Sequence, residues 1–543
     1  MKQRSSILLS VLTILLCVNF IGCSARISPL ESRYHSDNGD GTFTNPVIAS
    51  DFPDIDLIRV GDTYYLLATT MFIFPGVPVL KSKDLVNWEY CANTVPRIDD
   101  SECYNLDECN RYRHGQWASS LKYHNGKFYL LFNTLDDGGF MVTTEDPDGP
   151  WEMTHLPRGF HDPGLFFDDD GKIYVAWGYN EIRITPLDEN FAPAGEDRLV
   201  YTGDLRRGIE GAHVYKLNGY YYLYCTYGGR DGFQVALRSK NIYGPYEQKI
   251  VLQDRRQTMN FGIHQGALVQ TQTGEWWTML FVDQGPFGRM PSLQPIRWED
   301  DWPIGGVDGN AVLTYRKPDV GKKHPITELP TSDEFKSNEL GMQWGWNHNP
   351  EPSKWSLSER PGHLRLHTVN VTSDFKMARN TLTQRLFAPY SSELQTLGTI
   401  KMDFTNMKDG DIAGLCVFQD PYAYIAIHKM NGKYRIVMVN NGEEIESVES
   451  VETDATTIYF RSNPFFGIGV LAHAAGVETP PGTSAASFYY STDNKTYIKL
   501  GNELQMRFSL TIFTGNKFCL FNYATRELGG HVDFDWFKTE FSR

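Results

Sequence analysis

The first three hundred residues of the chain repeat one short pattern five times: an extended run, a turn that contains glycine, and a run rich in aromatic residues. Hairpin units that recur at roughly fifty residues are typical of a β-propeller, in which each repeat builds one blade around a central axis. Since no long window has a helical period, the pattern predicts an all-β fold that begins with a five-bladed propeller. The copies read PDIDLIRVGDTYYL, WASSLKYHNGKFYL, DPGLFFDDDGKIYV, EGAHVYKLNGYYYL and QGALVQTQTGEWWTM.

Three of the five copies carry a carboxylic acid at nearly the same place. Counted back from the second aromatic residue of each copy, the twelfth residue is Trp117, Asp162, Glu210 or Gln265, and in the first copy the eleventh is Asp54. Equivalent residues of different blades lie on one ring around the axis, so we expect the three acids to share a pocket. Buried carboxylates without partners are costly, which makes a purely structural role a poor explanation. Two carboxyl groups that act as acid and base indicate glycoside hydrolysis.

Length and charge narrow the class of protein further. A chain of 543 residues exceeds one ordinary domain, so two or three domains are expected. The formal net charge of −15 argues against nucleic acid or an anionic membrane surface as a partner. A neutral substrate fits this charge better.

The first residues resemble an export signal of the lipoprotein type. Lys2 and Arg4 precede a mostly apolar run over 7–20, which is too short to span a membrane comfortably. A small residue then precedes Cys23, as in a bacterial lipobox, although an ordinary signal peptide is the alternative. We therefore predict a signal peptide over 1–22, a lipid on Cys23, a tether over 23–40, and an exported protein anchored by its lipid to a membrane facing the periplasm of a Gram-negative bacterium.

The remaining chain divides into a propeller, a linker and a second β domain. Blades are predicted over 41–317, and the segment 318–331 is rich in proline and charge, as a linker would be. Short alternating strands continue over 332–543, which predicts a β-sandwich. A sugar-binding module is the alternative interpretation of this second domain.

The eight cysteines show no zinc-binding spacing. Cys103 and Cys109 could pair in an oxidising compartment, and Cys91 lies close enough in sequence to compete. Cysteines inside apolar strands are expected to be buried thiols. They are Cys225, Cys416 and Cys519.

Several longer segments resemble glycoside hydrolase family 43. In the propeller they are TNPVIASDFPDIDLIRVGDTYYL, FHDPGLFFDDDGK and EGAHVYKLNGYYYLY. In the second domain, DEF, WGWNHNP, RNTLTQR and DFDWF are similar to the sandwich of the β-xylosidase-like branch. The resemblance implies a five-bladed β-propeller followed by a concanavalin-like β-sandwich.

The resemblance also implies a role for each acid. Asp54 matches the general base, Glu210 the general acid, and Asp162 the acid that tunes and holds the general acid. The chemistry needs this set, because the base must be ionised while the acid stays protonated near neutral pH. A nearby carboxylate favours the protonated acid by like-charge repulsion. The family's stereochemistry is inversion, in which a water lies between the base and the sugar.

Further residues are implied to bind the sugar. Trp117 resembles an aromatic wall that stacks on the ring, and Arg289 resembles the arginine that binds sugar hydroxyls. Met71 and Phe74, in TTMFIFPG, occupy a stretch that lines the sugar site in relatives. We also expect the sandwich domain to pack on the propeller and to lend a loop to the rim of the pocket.

The fifth blade carries a polar pair at the axis, His264 and Gln265. Gln265 is predicted either to contact substrate or to be a polar core residue. His264 is compatible with a structural calcium ion, although one histidine and one amide form a poor site for a hard cation unless waters complete it. No cofactor is required by the predicted chemistry.

Taken together, the sequence predicts an exo-acting, inverting glycosidase. Its substrate would be a plant hemicellulose oligosaccharide from which it releases terminal α-L-arabinofuranose or β-D-xylose. An endo-arabinanase or galactosidase on the same scaffold is an alternative enzyme. A non-catalytic glycan-binding lipoprotein is the alternative outside enzymes.

Overall fold

The computed structural model describes residues 35–229, 231–255, 262–390, 394–449, 456–466 and 484–542. These residues form β-strands and four short 3-10 turns, with no α-helix among them, which confirms the all-β prediction. No helix in the described ranges is long and apolar enough to span a membrane. The predicted signal peptide, Cys23 and most of the predicted tether lie outside the described residues. The 3-10 turns are Glu102–Asn105, Gly285–Phe287, Pro352–Lys354 and Phe375–Met377.

Five antiparallel sheets of four strands form the predicted propeller. In sheet order the blades are β2-β3-β5-β6, β7 to β10, β11 to β14, β15 to β18, and β19 to β22, so each blade is built from one continuous stretch of chain. The strands up to residue 316 are β1 Thr42–Thr44, β2 Asp56–Val60, β3 Thr63–Leu67, β4 Ile73–Phe74, β5 Gly76–Ser82, β6 Trp88–Val95, β7 Ser119–His124, β8 Lys127–Asn133, β9 Gly139–Thr144, β10 Glu152–Leu156, β11 Gly164–Phe167, β12 Ile173–Trp177, β13 Glu181–Leu187, β14 Arg198–Thr202, β15 Ile209–Leu217, β16 Tyr220–Tyr227, β17 Phe233–Ser239, β18 Glu247–Leu252, β19 His264–Gln270, β20 Trp276–Asp283, β21 Arg289–Glu299, β22 Trp302–Gly305 and β23 Thr314–Arg316.

The two ends of the propeller segment meet. Strand β1 pairs with β23, and the buried amide of Asn45 exchanges hydrogen bonds with the backbone of Leu293 in the fifth blade. Just before β1, Asp37 accepts from Lys317 Nζ at 2.5 Å and from Asn87 Nδ2 at 2.9 Å. Residues 35–40 are therefore docked on the propeller, and the predicted tether is wrong for them because ion pairing fixes this segment.

Two sheets form the sandwich. The first has the order β32-β31-β30-β29-β37-β27-β24-β4, and the second β25-β26-β38-β28-β33-β34-β35, with β36 paired to β34. Its strands are β24 Trp344–Asn347, β25 Trp355–Ser356, β26 Leu364–His367, β27 Leu382–Arg385, β28 Gln395–Asp403, β29 Asp411–Phe418, β30 Ala423–Met430, β31 Lys433–Asn440, β32 Glu443–Glu449, β33 Thr457–Phe466, β34 Ser484–Ser491, β35 Ile498–Lys499, β36 Leu504–Gln505, β37 Lys517–Ala524 and β38 His531–Ser542.

Strand β29 shows how the sandwich meets the propeller. All eight of its residues are buried, although side chains alternate between the two faces of a sheet. Leu415 and Val417 lie in the core of the sandwich, whereas Cys416 and Phe418 belong to an apolar cluster that also contains Phe72 of the propeller. One face of this sheet therefore covers the other sheet, and its second face covers the propeller.

The propeller itself supplies the last strand of the first sandwich sheet. Strand β4 leaves the first blade and pairs with β24, with Phe74 opposite Trp346. Beside this pairing, the backbone amide of His348 donates to Phe72 O at 2.9 Å, and that of Asn349 donates to Tyr104 O at 2.7 Å. The WGWNHNP motif thus joins the two domains.

The cysteine pairing in the structure is one of the alternatives that the sequence left open. Cys103 and Cys109 form a disulfide, and Cys91 is a free, buried thiol. A disulfide of this kind is typical of proteins that leave the cytosol. The three cysteines predicted to be buried thiols are free and buried.

Candidate active site

The acids reach the propeller axis from unusual backbone positions. Asp54 and Asp162 have φ of 55° and 45°, and Gln265 has 49°. Positive φ is uncommon for residues other than glycine, and such strain gathers at functional sites. Glu210 is followed by Gly211 at φ 66°, with a register shift in β15 at the same place. A local twist before the innermost strand therefore aims four equivalent side chains at one pocket.

Asp54 is held by a buried arginine. Arg289 Nη1 donates to Asp54 Oδ1 at 2.6 Å, and both side chains are almost fully buried. Burial raises the pKa of the Asp54 carboxyl; the Arg289 cation opposes this, and nearby Asp162 adds to it. Two other donors of Arg289, Nε and Nη2, are buried without a hydrogen-bond partner among the described residues.

Asp162 is held by the fifth blade. Gln265 Nε2 donates to Asp162 Oδ2 at 3.1 Å, and the backbone amide of Gln265 is itself fixed by Gln234 Oε1 at 3.0 Å. Burial raises the pKa of Asp162 to about 6, with His161 opposing and Glu210 adding. Gln265 is therefore both a buried polar residue and a support for an acid of the pocket.

Glu210 lies close to Asp162 and His161. One nitrogen of His161 and one carboxylate oxygen from each acid lie within 4.8 Å of one another. His161 Nε2 is 3.3 Å from Glu210 Oε2. Burial disfavours the imidazolium, but the carboxylates of Asp162 and Glu210 outweigh it and raise the pKa of His161 to about 9. The structure thus brings Asp162 and Glu210 together, with Asp54 near enough to Asp162 for their charges to interact.

Glu210, Gln265 and Arg289 line the propeller side of a cavity of about 330 Å³, within the usual range for a small-molecule site. Its other side is formed by Phe508, Leu510 and Phe513 of the sandwich. The loop that carries them runs between β36 and β37. The sandwich domain therefore lends a loop to the pocket, as the sequence predicted.

Trp117 belongs to the same wall. Its ring centroid lies 5.4 Å from that of Phe513 and 5.9 Å from that of His161, and its Nε1 donates to Arg113 O at 2.7 Å. An aromatic ring in this position can stack on a sugar. The arrangement is compatible with the predicted role of Trp117.

Met71 and Phe74 are placed differently from the prediction. Both side chains are fully buried, so neither can touch a sugar in this structure. Phe74 packs edge-on against Tyr104 behind the strand that joins the sandwich sheet. Met71 belongs to the apolar cluster against which Trp117 packs. Substrate contact is thus wrong for both residues, which support the pocket from behind.

The surroundings of His264 do not suit calcium. Its Nε2 lies 3.2 Å from Asp283 Oδ2, and its Nδ1 has no hydrogen-bond partner among the described residues. The amide of neighbouring Gln265 is engaged by Asp162. Calcium prefers six to eight oxygen ligands, and the donors placed here offer one carboxylate and a nitrogen.

Sequence reasoning missed two residues of the site. His161 stands directly before Asp162 in the chain, and this adjacency was the one signal for it. Phe513 has φ 63° in a loop of the other domain, and its ring lies 4.8 Å from the Arg289 guanidinium. No local pattern connects it to the propeller.

Comparisons with known proteins agree with this site. The family model of glycosyl hydrolases family 43 matches residues 43–303, and that of the β-xylosidase C-terminal concanavalin A-like domain matches residues 332–540. A β-xylosidase of Formosa agariphila is 33% identical over 99% of this chain and 98% of its own length. A non-reducing end α-L-arabinofuranosidase of Bacteroides ovatus is 31% identical over 76% of this chain and 84% of its own.

Among solved structures, an engineered family 43 glycoside hydrolase with endo-xylanase and exo-arabinofuranosidase activity superposes with a TM-score of 0.83. The two sequences are 33% identical, and the superposition covers 92% of this chain and 99% of the other chain. The two domains and their order therefore coincide with one family. The chain belongs to glycoside hydrolase family 43, in the branch that carries the β-xylosidase-type sandwich.

Proposed function

We propose that this hydrolase removes single terminal pentoses, α-L-arabinofuranose or β-D-xylose, from hemicellulose oligosaccharides with inversion. One observation carries the proposal: the pocket lined by Glu210 and Arg289 is bounded on its far side by Phe508, Leu510 and Phe513 of the sandwich. A pocket closed in this way accepts the end of a chain, whereas an endo enzyme needs an open cleft. The named relatives of Formosa agariphila and Bacteroides ovatus support these two sugars.

The chemistry follows from the surroundings of the acids. Asp54, paired with Arg289, takes a proton from the attacking water while the water oxygen bonds to the anomeric carbon. Glu210 donates its proton to the glycosidic oxygen, which leaves with the electrons of the broken bond. The Asp162 carboxyl lies close to Glu210, so the two negative charges repel each other when both acids are ionised. Arg289 lines the same pocket and is the partner proposed for sugar hydroxyls beside the reacting carbon.

A substrate screen tests the reaction. We expect hydrolysis of 4-nitrophenyl α-L-arabinofuranoside or 4-nitrophenyl β-D-xyloside, and single pentoses as the first products from a hemicellulose oligosaccharide. Proton NMR should show the anomer opposite to that of the substrate first. Mixed oligomers among the early products would contradict exo cleavage, and first formation of the retained anomer would contradict inversion.

Phe513 provides a test of the two-domain pocket. Phe513→Ala is expected to lower kcat/KM by about 10-fold, mainly through KM, because an aromatic side chain contributes roughly 1.5–3 kcal/mol when it is fully buried. Steady-state kinetics on the preferred aryl pentoside measures this change. Phe465→Ala is the matched control, since Phe465 lies on β33 of the sandwich, is 36% exposed and does not line the cavity. Equal effects of the two variants would argue against Phe513 as a specific wall of the pocket.

A further inference from the structure

His161 occupies a position that the three-acid mechanism does not use. Its Nε2 lies 3.3 Å from Glu210 Oε2 and 3.8 Å from Asp162 Oδ1. Its side chain is 27% exposed, so it borders the pocket and is not part of the core. A histidine in direct contact with a general acid affects how that acid holds its proton.

The two oxygens of Glu210 have different surroundings. Oε2 faces His161. Oε1 lies on the side of Gly228 and His264: an added Cβ on Gly228 would come within 3.3 Å of Oε1 and 3.8 Å of His264 Cε1. Gly228 and His264 both line the cavity. Oε1 is therefore the oxygen nearer to these cavity-lining residues, and Oε2 is the one nearer to His161.

We propose that His161 is a positioning residue for the general acid: its Nε2–H donates to Oε2 of Glu210 and so keeps the acidic proton on Oε1. The inference rests on the proposed role of Glu210 as general acid. In a protonated carboxyl group, the oxygen that accepts a hydrogen bond is the carbonyl oxygen and does not carry the proton. The other oxygen then carries the proton, and it is the one that faces the leaving group.

The charges around His161 fit this role. The carboxylates of Asp162 and Glu210 touch it, Asp54 lies further along the pocket, and Arg289 pairs with Asp54. The ionised carboxylates of Asp162 and Glu210 raise the pKa of His161 to about 9, and Asp162 is the contacting carboxylate that remains once Glu210 is protonated. Nε2 carries hydrogen in the imidazolium and in the neutral Nε2–H tautomer, so it can donate to Oε2 in either form.

Neighbouring rings set the orientation of the imidazole. The Trp117 centroid lies 5.9 Å from that of His161, and the Tyr179 centroid lies 6.1 Å away on an almost perpendicular ring. The backbone is fixed as well, since Gly178 N donates to His161 O at 3.0 Å. His161 is thus held from its main chain and from both rings.

Protons and electrons are conserved in the proposed hydrolysis step. The Oε1–H proton moves to the glycosidic oxygen, the bond from that oxygen to the anomeric carbon breaks, and its electron pair stays on the leaving oxygen. The water oxygen forms the new bond and loses its proton to Asp54. Glu210 ends as a carboxylate that His161 stabilises through the same hydrogen bond, until solvent returns a proton to Oε1.

The dependence of the rate on the leaving group tests the proposal. A dinitrophenyl pentoside leaves without much help from an acid, whereas a methyl pentoside or a disaccharide needs it. We expect His161→Leu to lower kcat/KM by about 10- to 100-fold on the poor leaving group and by less than about 3-fold on the activated one. His161→Gln keeps a neutral donor and should recover part of the loss.

Two reference variants separate the outcomes. Glu210→Gln must show the same selective loss, more strongly; if it loses both substrates equally, the role of Glu210 is wrong and the proposed function fails. Suppose that Glu210→Gln loses activity selectively on the poor leaving group. The positioning role is then overturned if His161→Leu loses activity equally on both substrates, or keeps full activity on both. His363→Leu, in the sandwich domain, controls for the generic effect of the substitution and should leave both rates unchanged.

Discussion

Glu210→Gln is expected to reduce kcat/KM on oligosaccharides by about 10²–10⁴-fold, which is the usual contribution of a general acid, and Asp54→Asn is expected to lose activity on every substrate. The difference has a physical cause. An amide at Glu210 cannot donate a proton, and a good leaving group needs none. An amide at Asp54 cannot accept the proton of water, and every substrate needs that step. Kinetics on an oligosaccharide and on an activated aryl pentoside, side by side, measures both losses.

The fold of each variant must be checked, because Asp54 is paired with a buried cation. Asp54→Asn leaves Arg289 without its counter-charge, and breaking a buried pair is destabilising, so its thermal midpoint should fall. Glu210→Gln removes a partly exposed carboxyl and should keep the midpoint of the wild type. Glu181→Gln, on a strand of the third blade, is the matched surface control. Near-normal rates for both active-site variants would remove the assignment of acid and base.

The propeller and its acids could be predicted because they repeat. A hairpin that recurs at a fixed spacing fixes the number of blades, and the equivalent position in each copy then identifies Asp54, Asp162 and Glu210. This argument needs no knowledge of contacts between distant segments, since symmetry supplies them. The same symmetry placed Gln265 beside these acids, and its amide does hold Asp162.

What the sequence could not predict depends on contacts between the domains. Phe74 is only a few residues from the blade strands, yet it leaves the blade and pairs with Trp346 of the sandwich. It therefore lies at the junction of the two domains and does not contact the sugar. Phe513 reaches the pocket from a loop with no periodic pattern. The tether prediction is wrong for residues 35–40 for a similar reason. The ion pair between Asp37 and Lys317 holds this segment on the propeller, although its sequence resembles a linker.

Asp51 links Arg289 to the sandwich loop. Its Oδ1 accepts from Arg289 N at 2.9 Å, and its Oδ2 accepts from Gly515 N at 2.8 Å. The buried ammonium of Lys517 lies 3.5 Å from Oδ2. Gly515 is two residues beyond Phe513 in the chain. One carboxylate therefore fixes the backbone of Arg289 and the loop that closes the pocket.

Asp51→Ala is expected to lower the free energy of unfolding by about 3–5 kcal/mol, the usual cost of leaving one member of a buried ion pair alone. Activity should fall as well, because the Arg289 backbone and the Phe513 loop lose a shared partner. Lys517→Met should cost less, since Asp51 keeps its two backbone donors. Urea denaturation of both single variants and the double variant forms a double-mutant cycle. Additive losses would show that the two charges do not interact.

The pH dependence of the free energy of unfolding is a second test of the Asp51–Lys517 pair. Burial lowers the pKa of Lys517 to about 8, with Asp51 opposing and Arg385 adding to the shift, whereas an unfolded lysine has a pKa of about 10.4. Between these values the unfolded chain binds more protons than the folded one, so the contribution of Lys517 to stability rises with pH there and is constant below about 8. The free energy of unfolding of the wild type should therefore rise, relative to Lys517→Met, from about pH 8 to about pH 10. Parallel stability curves for the two proteins over that interval would show that the Lys517 ammonium is not buried as a cation. Lys517 would then have no part in holding the sandwich to Arg289.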